Sequence, residues 1–138
     1  MDTPTSFVIE LKEILLNKDF SKFGDSIVNF IYNAAVFEIM NQSRGTKVWD
    51  SCLAHACRNS KLREFLGTRK NVGDIGDAVE AFIAFMYLKN KKIINEMILV
   101  LSRNIDKNKN FFQVKEKEIC TESFTLLIDN LCEKLGIN

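Results

Sequence analysis

Two short acidic motifs hold the side chains best suited to catalysis. One is Phe23-Gly24-Asp25-Ser26-Ile27-Val28. The other is Gly76-Asp77-Ala78-Val79-Glu80-Ala81, which continues as Phe82-Ile83-Ala84-Phe85-Met86-Tyr87-Leu88. Asp77 and Glu80 stand three residues apart in an apolar helical stretch, so both carboxylates project from one helix face. Two acids on so apolar a helix want a partner, and the chemistry they suit is a hard cation. Mg2+ takes oxygen ligands and keeps several waters, so two or three carboxylates suffice. A cation held in this way can activate a water and stabilise phosphoryl charge. Asp25 precedes an equally apolar run and follows Gly24, whose small size allows close approach. Spacing alone leaves a second reading open. With Asp74 as an N-cap, Asp77 would fall at the third helical position, where an acid favours the helix dipole, and Asp25 could serve its own helix likewise. Glu80 lies a turn further on and gains less from the dipole.

The elements that must position these acids read as helices throughout. Residues 6–17 carry Phe7, Val8, Leu11, Ile14 and Leu15 at three- and four-residue spacings. Asp19 or Ser21 can cap a second helix running to about Met40, with Phe23, Ile27, Phe30, Ile31 and Ala34 on one side. Gln42 to Thr46, with Gly45, breaks it. Val48, Leu53, Ala56 and Cys57 suggest a third helix, and Ser60 caps a short fourth with Leu62, Phe65 and Leu66 apolar. After a basic loop at 67–72, residues 74–88 form a long apolar helix and 93–101 another. A polar loop over 103–109 is expected before a last helix at 118–135, striped by Phe124, Leu127, Ile128, Leu131 and Cys132. No period-two strand, repeat or linker is visible, so residues 1–138 read as a single all-α domain of six to eight helices.

Composition narrows the function classes. The chain has 138 residues, 46% hydrophobic and 27% charged, which excludes disorder and low complexity. One Pro and six Gly argue against an all-β protein. No stretch approaches a membrane span, and MDTPTSFVIELKE lacks a secretory signal, so the expectation is a cytoplasmic protein without a membrane partner. The four cysteines, Cys52, Cys57, Cys120 and Cys132, form no CxxC pair, and His55 is the single histidine, so buried thiols are expected rather than a zinc site. Net charge is only +1, but residues 43–70 hold seven basic residues (Arg44, Lys47, Arg58, Lys61, Arg63, Arg69, Lys70) against Asp50 and Glu64, a local excess of +5. Such a segment is either a solvated helix face or a surface for a polyanion.

The second motif resembles the signature of the ribonuclease III catalytic domain, in which an Asp, two residues and Glu-Ala open a helix that ends in Tyr-Leu. Asp77, Glu80, Ala81, Tyr87 and Leu88 fall in that register. The first motif resembles the family's Gly-Asp signature, and Ser51, Leu53, Ala54 and Ala56 fit the family's intervening helices. The resemblance extends from about Phe7 to Leu101. It implies a ribonuclease III endonuclease-domain-like helical bundle that cleaves double-stranded or structured RNA as a homodimer, one site per strand. Asp25, Asp77 and Glu80 would be catalytic and hold Mg2+ or Mn2+, with the basic residues of 43–70 along the phosphates. Two departures stand out. Ser21 replaces a Glu four residues before the Gly-Asp aspartate, and Lys22 replaces an apolar residue that packs across the dimer. The length suggests a short form without a double-stranded RNA-binding domain, similar to mini-III or the short archaeal branch. Ser21 supports the alternative of a fold that binds structured RNA without cutting it. For the dimer, the apolar faces exceed what one small core consumes, and Phe23, Phe30, Phe82, Ile83, Phe85 and Met86 are the candidate surplus.

Overall fold

A computed structural model describes residues 5–68 and 71–137, with side chains from Ile9 onward, so Arg69 and Lys70 lie outside the described residues. The fold is all-α. Its helices are α1 (Thr5–Leu15), α2 (Lys18–Met40), α3 (Asp50–Arg58), α4 (Val72–Lys89), α5 (Ile93–Lys107) and α6 (Phe112–Lys134), with 3-10 turns at Lys61–Phe65 and Lys109–Phe111. No strand occurs among the described residues. No helix among them is long and apolar enough to cross a membrane.

The apolar character of α4 decides the architecture. From Ile75 to Met86 it is buried on every side except at Asp77, as expected of a helix without a polar face. α2 packs along it most extensively, α3 and α1 flank it, α5 lies against α2, and α6 closes the far side against α3 and α5. This burial corrects the expected dimer surplus. Phe82, Ile83, Phe85 and Met86 are all inside the core, whereas Phe23 and Phe30 are exposed, together with Phe37. A single chain therefore buries the apolar residues of α4 from Ile75 to Met86 but leaves part of the apolar surface of α2 exposed.

The helix starts also differ from the expectation. Asn17 caps α2 by accepting hydrogen bonds from the backbone N–H groups of Asp19 and Phe20, and Asn71 caps α4 by accepting from Gly73 and Asp74. Asparagine serves this role as well as aspartate does. The consequence matters for the acids. Asp74 occupies the third helical position, Asp77 lies a turn beyond it, and Asp25 stands about two turns inside α2. The helix-dipole benefit fades within the first turn, so it accounts for Asp74 and leaves Asp25, Asp77 and Glu80 unexplained.

The expected polar loop over 103–109 is instead the last turn of α5 followed by a 3-10 turn, and α6 begins at Phe112, with non-helical backbone at Lys115. Asn104 reconciles its polarity with helix by pointing inward. Its amide donates to the Ser123 hydroxyl at 2.9 Å and to the Ile119 carbonyl at 3.4 Å. Ser60 caps the 3-10 turn at Lys61–Phe65 as anticipated, and the four cysteines are buried thiols.

Candidate active site

Gly24 sets the distance between the two acidic motifs. A Cβ at this position would collide with the Glu80 carbonyl oxygen, so glycine lets the α2 backbone rest directly on α4. Glycine inside a helix costs about 1 kcal/mol relative to alanine, and the close crossing is what offsets it. Asp25 follows Gly24 and is thereby delivered to the same recess as Asp77 and Glu80. The recess measures about 340 Å³ and is lined by Ser21, Lys22, Asp25, Lys47, Asp50, Asp77 and Glu80.

Glu80 is the innermost acid, 5% exposed, beside the equally buried Ser21. The Ser21 hydroxyl donates to Glu80 Oε1 at 3.5 Å, a long contact. Burial pushes the Glu80 carboxyl up to about 8, reinforced by its hydrogen bond with Asp25 and by the charges of Asp25, Asp77 and Asp50. Asp25 moves the other way. The hydrogen bond from Glu80 lowers it first, against the cost of burial, and Lys47 and Asn29 lower it further. Glu80 therefore holds a proton that it shares with ionised Asp25, the arrangement expected where two carboxylates meet in a confined site.

Two lysines complete the electrostatics. Lys47 Nζ lies 3.0 Å from Asp25 Oδ1, and Lys18 Nζ lies 2.9 Å from Asp77 Oδ2. Lys47 is brought there by the α2–α3 connection, which α2 holds through asparagine side chains. Asn33 accepts from the Thr46 N–H at 3.0 Å and donates to the Thr46 carbonyl at 2.7 Å, and Asn29 accepts from the Val48 N–H at 2.8 Å.

The structure thus gathers the three predicted acids and adds a fourth, Asp50, the first residue of α3, which the sequence offered only as one acid in a basic segment. Gly76 assists, because the Asp50 backbone packs against it. The oxygen-only donor set of four carboxylates and a hydroxyl fits a hard divalent cation, and burial, with the neighbouring acids, favours the protonated form of Glu80. As the side chains stand, however, no three carboxylate, thiol or imidazole groups among the described residues converge to hold a metal ion.

The basic segment is divided among several roles. Arg44 grips Glu116 in a bidentate pair, Nη1–Oε1 3.0 Å and Nη2–Oε2 2.6 Å, while the Tyr32 hydroxyl donates to the same carboxylate at 2.6 Å. Its guanidinium also lies over the Phe112 ring, 5.6 Å from the centroid. Arg44 ties the connection to α6, and Lys47 belongs to the acidic recess. Arg58 and Arg63 are exposed, and the half-exposed Lys61 reaches Glu133 at 3.7 Å. Lys22, which stands where the family has an apolar residue at the dimer contact, lines the recess.

Comparison with known proteins shows the family. The family model described as Ribonuclease III matches residues 18–137, from the first residue of α2 onward. Ribonuclease 3 of Clostridium tetani (strain Massachusetts / E88) is 27% identical over 138 aligned residues, covering 87% of this chain and 55% of that protein. The chain spans about half the length of that relative. The family match takes in both acidic motifs and the glycine crossing that unites them, and the chain belongs to the ribonuclease III family.

Proposed function

We propose that this chain is a metal-dependent endoribonuclease that hydrolyses phosphodiester bonds in double-stranded or structured RNA. The observation that carries the reading is the delivery of Asp25, Asp77 and Glu80 to one recess by a helix crossing that requires Gly24. Asp25, Asp77 and Glu80 would hold Mg2+ or Mn2+, with Asp50 at the margin. The bound cation would supply an activated water and neutralise charge on the phosphate. As a ligand Glu80 would have to give up its shared proton, because a ligating carboxylate must be ionised. Ser21 keeps a hydroxyl against Glu80 and orients it without adding charge.

The exposed Arg58 and Arg63 and the half-exposed Lys61 would contact phosphates, as would Arg69 and Lys70. A-form RNA presents shape and backbone rather than readable bases. A second copy of the chain would supply the site for the other strand. Phe23, Phe30 and Phe37 favour this, because seven-residue spacing puts them on one side of α2 and all three are exposed.

Cleavage of a labelled RNA duplex in Mg2+ or Mn2+, abolished by chelator, tests the reading. The alternative, a module that binds structured RNA without cutting it, is favoured by the lysines seated on Asp25 and Asp77. Metal-independent, salt-sensitive duplex binding with no cleavage in either metal would select it.

A further inference from the structure

We infer that Lys47 and Lys18 are resident counter-ions of the acidic recess, seated on Asp25 and Asp77 and displaced when a divalent cation binds. Metal uptake is then an exchange of ammonium for metal. The inference deepens the metal-dependent reading and rests on it.

Each lysine occupies an acid of a different motif, at 3.0 Å and 2.9 Å. An ammonium and a metal ion draw on the same carboxylate lone pairs, and their like charges repel, so both cannot occupy the recess at full strength. The two ammoniums that leave carry the same charge as the divalent ion that enters, and release of the Glu80 proton makes the recess one charge more negative. Backbone placement makes the occupancy a built feature. Lys47 sits on a connection pinned by Asn29 and Asn33, and Lys18 is the first residue of α2, directly after the Asn17 cap.

The release is equally built in. The lysine side chains are 69% and 67% exposed, so each ammonium can swing into water without losing buried packing. Arg44 and Glu116 provide the contrast within the same chain. Their pair is bidentate, only 26% and 18% exposed, and reinforced by Tyr32, as suits a permanent tie. The Lys47–Asp25 and Lys18–Asp77 pairs are open to solvent, the form of contact that contributes little to stability and can be exchanged.

The experiment titrates Mn2+ alone into metal-free wild type, Lys18→Met, Lys47→Met and the double variant, and reads free aquo-Mn2+ by electron paramagnetic resonance. Lys109→Met, which removes a charge paired with Asp106 elsewhere, controls for net charge. Methionine keeps most of the stem, and circular dichroism checks the fold. Each single variant is expected to bind Mn2+ about two- to fivefold more tightly, the value of one exposed ion pair. The double variant gains roughly tenfold, because the pairs use different carboxylates. Lys109→Met stays at the wild-type value. If wild type binds Mn2+ and neither lysine variant binds it more tightly, the exchange is overturned and the metal site stands. If Mn2+ binds to none of the proteins, the metal-dependent reading falls and the exchange falls with it.

Discussion

Replacing Glu80 with glutamine should separate stability from function in opposite directions. In the folded chain the Glu80 carboxyl is pushed up to about 8 from an ordinary 4.5. A carboxyl raised on folding contributes fully below its unfolded value, and that contribution is lost as pH rises through the folded value. Between about pH 4.5 and 8 the unfolded chain releases this proton while the folded chain retains it, so folding works against ionisation. At pH 7 the cost reaches an upper bound of about 3 kcal/mol, from 1.36 kcal/mol per unit over that interval. Relaxation of the recess reduces it. Glutamine carries no such proton, and its amide can donate to Asp25 as the protonated carboxyl does. Glu80→Gln should therefore match wild type in urea denaturation near pH 4.5. In chelator it should gain 1–3 kcal/mol, order of magnitude, by pH 8. With Mg2+ present, cleavage of duplex RNA should fall by at least about 100-fold, since an amide is a weak ligand for a hard cation. A stability difference independent of pH would refute the shared-proton account. Wild-type cleavage by the variant would remove Glu80 from the metal site.

The two motif glycines make a matched pair of tests. Gly24→Ala should destabilise the fold by several kcal/mol, about 3 or more, because its methyl meets the Glu80 backbone. Gly76→Ala, whose Cβ would rest at ordinary contact distance from Asp50, should be neutral or gain up to about 1 kcal/mol in thermal denaturation. Equal losses at both positions would contradict the crossing geometry. Changing Arg58, Lys61 and Arg63 together to Glu should weaken duplex RNA binding and flatten its log-affinity against log-salt slope by up to about three units; an unchanged slope would assign them to a solvated face. Light scattering at micromolar concentration should report two chains for wild type and one for Phe30→Glu, and a wild-type mass of one chain would sink the two-strand cleavage model.

The i, i+3 relation of Asp77 and Glu80 was legible in the sequence because helix geometry alone puts two such residues on one face. The burial of α4 was legible in part: its lack of a polar face required a central position, but not which neighbours would cover it. Phe82, Ile83, Phe85 and Met86 looked like surplus because hydrophobicity does not say how many helices surround a segment. Tertiary structure alone decided the rest. Asp50 joins the acids because α3 starts where α4 carries Gly76. Lys47 faces Asp25 because Asn29 and Asn33 hold a connection whose path no local pattern encodes. Arg44, counted in the same basic segment, turns to Glu116 on the last helix, 72 residues away. Charge density along the chain gives the number of cations in a segment. Their partners depend on backbone pairings between helices distant in sequence, and those are settled only when the apolar faces have packed.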